Sequence, residues 1–257
     1  MWFLSREHVF SEISWSQNQT LSNLSGLVLT LDPKLSFSLL SRIYSPSYQS
    51  IASNAFGESS VNRNENGVYI GLSYKLLKKI IINAYFDQYR FPWIKNYLPS
   101  PTTGKDLLIK LDYARSKRVM TSIKYRIREN QIRSLNHLII QKSIQLRLDN
   151  KIIVSPEIEL KLRLEWKHIK DSKNKNGFLF YTDFNWSSVD KPYSFSLRYS
   201  LFNTDDYSTR IYAYERDVYY AYSIKAYFGQ GQKIYLNFKW KGNPVEKSWP
   251  DMAENSG

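Results

Sequence analysis

The sequence contains no cysteine. That removes disulfides, thiolate metal sites and a cysteine nucleophile, and it agrees with an oxidising compartment. No apolar run approaches the ~18 residues that a membrane-spanning helix needs. Histidine is scarce, with only His8, His137 and His168. Gly-x-Ser-x-Gly, His-Glu-x-x-His, P-loop and EF-hand spacings are all missing, so the residues point to neither an enzyme nor a cofactor nor a metal site. The first residues, Met1-Trp2-Phe3-Leu4-Ser5-Arg6-Glu7-His8, lack the basic-then-apolar order of a secretory signal.

What the chain has is alternation. Ile158, Leu160, Leu162, Leu164 and Trp166 are apolar, while Glu157, Glu159, Lys161, Arg163, Glu165 and Lys167 between them are all charged. Successive side chains of a strand point to opposite faces, so this segment is a strand with one apolar and one ionic surface. About ten residues at ~3.3 Å each, tilted by roughly 40°, span about 25 Å, the apolar height of an outer membrane. A hydrophobic content of 42% with negative mean hydropathy fits such strands, because half of each faces water. The 20 tyrosines and 7 tryptophans suit a membrane interface.

Period-two patterning between turn signals predicts thirteen strands, near 9–16, 23–31, 35–44, 67–75, 80–90, 105–114, 118–128, 137–148, 152–167, 177–186, 192–201, 217–228 and 232–241. Short connections at 32–34, 77–79, 115–117, 149–151, 187–191 and 229–232 alternate with longer ones at 45–66, 91–104, 129–136, 168–176 and 202–216. Short turns on one rim and long loops on the other are the habit of outer-membrane barrels. The expected fold is therefore an all-β, antiparallel, up-and-down transmembrane β-barrel of about 12–14 strands over 1–241, with an irregular tail at 242–257. Bacterial single-chain barrels have even strand numbers, so the odd count leads us to expect a truncated barrel with at least one closing strand outside the chain.

If the apolar rows meet lipid, the other parity lines the lumen. It carries Arg42, Lys75, Lys110, Lys124, Arg126, Arg128, Arg147, Arg163, Arg198, Lys225 and Lys239 against Asp87, Asp106, Asp112, Glu157, Glu159, Glu165 and Asp183. The row Lys124, Arg126, Arg128, Arg147 and Arg163 is the candidate site. With a formal charge of +13, it points to an anionic solute or polyanion as partner, alongside outer-membrane lipid. The competing expectation is a lumen zipped by ion pairs to Glu157, Glu159 and Glu165. His168 beside Asp171 is a weak acid–base pair. Loop 202–216, with Asp205, Asp206, Glu215 and Asp217, gathers oxygens without calcium-cage spacing. Gly57 is placed to supply a positive φ in loop 45–66, which is long enough to fold inward. Phe91 and Trp93 read as rim aromatics.

Three loop motifs occur in order: Asn54-Ala55-Phe56-Gly57-Glu58-Ser59-Ser60, Phe91-Pro92-Trp93, and Arg210-Ile211-Tyr212-Ala213-Tyr214-Glu215-Arg216-Asp217 leading to Tyr227-Phe228-Gly229. With these the chain resembles, over roughly 20–240, the β-rich region of helix-hairpin-helix-containing proteins of Bacteroidota. The resemblance implies an outer-membrane barrel. It implies no catalytic or binding residue, and nucleic-acid binding would belong to a helix-hairpin-helix part that this chain does not contain. The resulting expectation is an outer-membrane barrel serving as pore, anchor or surface scaffold. The alternative is a soluble β-sheet binding module with the apolar rows as its core.

Overall fold

Long alternating segments joined by turns can satisfy their backbone only by pairing side by side, and the computed structural model has them do so. It describes residues 6–49, 54–95, 98–134, 137–216 and 223–240. Strands β1 (Arg6–Trp15), β2 (Leu21–Asp32), β3 (Leu35–Tyr44), β4 (Glu65–Leu77), β5 (Ile80–Phe91) and β6 (Thr102–Ser116) lead into β7 (Val119–Ser134), β8 (His137–Ile153), β9 (Ile158–Lys170), β10 (Asn174–Ser187) and β11 (Tyr193–Thr204). A 3₁₀ turn (Tyr207–Thr209), the short strands β12 (Ile211–Glu215) and β13 (Ser223–Tyr227), and β14 (Gln230–Trp240) complete the chain. The main sheet has twelve strands, all antiparallel, in the order β1 to β11 and then β14; β12 and β13 form a hairpin of their own. β1 and β14 are its two edges.

Register keeps the two faces separate across the whole sheet. Leu39, Ile70, Phe86, Leu107, Ile127 and Ile144 lie directly opposite one another from β3 to β8, an apolar girdle on the outer face. On the inner face the corresponding rung runs Tyr69, Asp87, Asp106, Arg128, Ser143. A one-residue slip would exchange the two sets, so the girdle itself fixes the register.

Burial is inverted relative to a water-soluble protein. Inner-face Arg42 is 0% exposed and Glu65 1%, whereas outer-face Ile70 and Leu72 are 40% and 42% exposed. The apolar rows do not form the core that the soluble-module alternative requires. No helix among the described residues is long and apolar enough to cross a membrane; the candidate crossings are strands.

Three expectations need correction. The twelfth candidate, 217–228, is not a wall strand where the structure describes it: β13 pairs only with β12, and β11 pairs directly with β14, which makes the wall count even. The partner strand β12 lies within 202–216, expected to be a loop, and buries alternate residues against the inner face of the sheet. The connections 129–136 and 168–176 are not long loops, since β7 runs to Ser134 and β9 to Lys170. A strand of 16 residues, such as β7, rises about 40 Å at a tilt of roughly 40°, well past the ~25 Å apolar band. Above the band the outer face no longer needs apolar residues, so alternation fades while pairing continues, as in the Glu129–Lys142 ion pair at 3.2 Å. Gly57 has no positive φ; Gln19, Asn64 and Gly229 are the described residues that do. The tail 242–257 lies outside the described residues.

Candidate functional site

The described residues between β11 and β14, 205–216 and 223–229, turn back into the space enclosed by the sheet. Its neck is clamped by Thr204 N–H to the Gly229 carbonyl (2.8 Å) and Gly229 N–H to Thr204 Oγ1 (2.7 Å). Asp206 caps the 3₁₀ turn, accepting from Ser208 N–H at 3.0 Å, and pairs with Lys175 at 3.0 Å. The Ser208 amide, and then Lys175, hold the Asp206 carboxyl below the usual carboxylate range. Ile211, Ala213 and Tyr227 of the insertion bury against inner-face Leu179 and Tyr181, with Phe202 alongside, forming a small apolar core.

Polar contacts aim the rest. Arg198 donates to the Tyr214 carbonyl (2.6 Å) while its other nitrogens hold Asp183. Lys167 donates to the carbonyls of Ser208 (2.9 Å) and Arg210 (3.3 Å). Glu215 receives Lys233 at 2.7 Å and the Tyr227 hydroxyl at 2.6 Å. Gly177 lets the turn approach: a Cβ there would sit 2.4 Å from the Thr209 carbonyl oxygen. Gly177→Val is therefore expected to lift the insertion, at about 1–3 kcal/mol of overpacking. Tryptic cleavage after Arg210 and Arg216 should rise about tenfold or more, because cleavage follows the open population. Unchanged cleavage would contradict the docked insertion.

The insertion divides the enclosed space. Towards the long loops, a cavity of about 480 Å³ is lined by Lys124, Arg126, Arg128, Arg147, Lys167 and Arg210, with no carboxylate in its wall. Towards the short turns, a cavity of about 640 Å³ mixes signs, including Arg163, Asp149, Asp183 and Arg216. They share no lining residue.

The structure thus brings four of the five expected basic residues together and separates Arg163. Arg163 reaches Asp149 at 2.5 Å and lies over the Tyr181 ring in the other cavity. The ion pairs fall differently from the expectation. Arg126 and Arg128 share Asp106, and Arg128 also reaches Glu58 at 3.0 Å. Arg147 takes Glu165 at 2.6 Å. Glu159 goes to Lys151 and Lys161, and Glu157 sits in a turn accepting from Val189 N–H. Lys124, Lys167 and Arg210 meet no carboxylate among the described residues. Lys167 was legible from the parity of β9; Arg210 was not, because its place depends on the inward fold.

A second knot closes the loop end. Arg42 holds Glu65 through Nε (2.6 Å) and Asp87 through a bidentate pair (2.8 and 3.0 Å). Glu65 in turn accepts from the backbone of Glu58 and Ser59, so the described part of loop 45–66 does fold inward. Phe91 turns inward too, edge-on to Tyr89 and under Lys95, and is no lipid-facing rim residue; Trp93 stays exposed at the rim. His168 bonds Asn176 and stacks on Trp166, while Asp171 caps its own turn, so the pair is not assembled. Asp205 and Asp206 serve separate partners, and the described residues hold no group of carboxylates and histidines fit for a metal. Asp217 lies outside the described residues.

No protein-family model matches the sequence, and no curated protein is similar to it. Among solved structures, the fold is similar to the outer membrane channel DcaP of Acinetobacter baumannii. The match has a TM-score of 0.55 at 9% identity, over 86% of this chain and 63% of that one. The fold is that of an outer-membrane β-barrel. The chain spans less than two thirds of the DcaP chain. OmpT, an outer membrane protein of Vibrio cholerae, aligns with a TM-score of 0.49 at 9% identity, over 92% of this chain and 95% of that one.

Proposed function

We propose that this protein resides in the outer membrane and forms a passage that favours small anions, with the lumenal insertion as its constriction. The observation that carries the reading is the 480 Å³ cavity whose wall holds six cationic side chains and no carboxylate. Partial pairing with Asp106, Glu165 and Glu58 leaves Lys124, Lys167 and Arg210 as uncompensated charge. Low-dielectric walls focus the field of like charges, and salt screens it over about 8 Å at physiological strength. The outward apolar girdle supports the membrane setting, and the Bacteroidota resemblance agrees with it.

Planar-bilayer recording under a salt gradient tests the reading. The reversal potential should report anion preference that fades as salt rises. Lys124→Glu should weaken or reverse it without breaking an ion pair. A cation-selective current, or no current from correctly folded protein, would refute it.

A further inference from the structure

The cationic cavity is more than a charged stretch of wall. Its cations come from three strands and the insertion, so they surround a volume rather than line a stripe. That volume, about 480 Å³, falls within the range of small-ligand sites, roughly 300–1,000 Å³. Two of its lining residues carry buried donors with no hydrogen-bond partner among the described residues: Nε of Arg128 and Oγ of Ser208. Buried donors are rarely left unmatched, so each marks a point where an acceptor oxygen is called for. Arg210 is pre-positioned, its Nε donating to the Tyr212 hydroxyl at 2.6 Å and one terminal nitrogen to the Tyr207 carbonyl at 2.9 Å.

An occupant must bring acceptor oxygens on several sides and negative charge close to the excess of three. A monovalent anion meets neither demand. We infer that the cavity is a saturable binding site for a small multiply charged phosphate compound, a phosphate ester or pyrophosphate-like group. Lys124 of β7 and Arg210 of the insertion contact it, and Arg128 and Ser208 complete its shell. The inference rests on the anion-passage reading and adds a ligand class to it. Lipid phosphates lie outside the strand wall and are not the source.

Isothermal titration of inorganic pyrophosphate into the full chain, folded in a maltoside detergent at fixed ionic strength, tests this. One-to-one saturable binding is expected. Lys124→Gln and Arg210→Gln should each weaken it about tenfold, as expected for loss of a charged hydrogen bond. Lys78→Gln with Lys79→Gln, on the opposite rim, should leave it unchanged. Absence of saturable binding, or equal weakening by the Lys78/Lys79 pair, would overturn the site. The reversal potential of the same preparation keeps the two claims apart. Anion preference without pyrophosphate binding overturns only the site, whereas binding without anion preference overturns the passage and retains the site.

Discussion

Replacing Arg42 with methionine is expected to destabilise the folded protein by about 3–5 kcal/mol, the usual cost of removing one partner from a buried ionic cluster. Arg42 is fully buried, and it stands between Glu65 and Asp87, both of which are also buried. Without the guanidinium, two carboxylates would face each other out of water and one would have to take up a proton. The damage should spread to the loop rim, because Glu65 anchors the backbone of Glu58 and Ser59, and Glu58 reaches Arg128. Adding Glu65→Gln and Asp87→Asn to Arg42→Met should recover part of the loss, since neutral amides carry a far smaller burial penalty. Urea unfolding in detergent measures all of these. A loss below about 1 kcal/mol for Arg42→Met, typical of an exposed ion pair, would contradict the buried cluster. Gly67→Ala should act in the same direction, because its Cβ would lie 2.4 Å from Cζ of the pinned Arg42.

The second large effect is an asymmetry between adjacent residues. Leu162 belongs to the outer apolar row of β9, and Arg163 points inward to Asp149. Leu162→Arg places a charge near the lipid midplane, at a cost of roughly 2–4 kcal/mol. Arg163→Leu removes a part-buried pair, Arg163 18% and Asp149 35% exposed, beside a water-accessible cavity where Asp149 can rehydrate, so its cost should stay at about 1 kcal/mol, below that of Leu162→Arg. Folding yields into lipid vesicles should therefore fall steeply for the first variant and little for the second. Comparable yields would show that the two faces have been assigned wrongly.

Much of this was legible in the sequence, for a physical reason. Where lipid meets a strand, every second residue must be apolar, and rows such as Val68, Ile70, Leu72 and Tyr74 record that demand directly. The inward parity of Lys124, Arg126, Arg128, Arg147 and Arg163 followed from the same rule. The extent of β7 and β8 beyond the apolar band did not, because pairing there depends on backbone hydrogen bonds and cross-strand pairs rather than on any pattern of hydrophobicity. Nor did the inward fold of the described residues 205–216 and 223–229, since 202–216 reads as a long loop, and only the facing Leu179 and Tyr181 show what Ile211 and Ala213 pack against. The partners of the basic row were hidden for a related reason. Glu58 comes from a loop and Asp106 from a neighbouring strand, so the pairing depends on register across strands and not on distance along the chain.

The absence of cysteine makes the most direct test of the central claim simple. Single cysteines placed in turn from Leu160 to Lys167 in the vesicle-inserted protein can be probed with a charged, water-soluble maleimide, and with a fluorophore quenched by brominated lipid. The barrel account predicts alternation: the Lys161, Arg163 and Lys167 positions react from water and the Glu165 position, buried against Arg147, escapes lipid quenching, while the Leu160, Leu162, Leu164 and Trp166 positions are quenched by lipid. Uniform reactivity along β9, or lipid quenching at the charged positions, would contradict it.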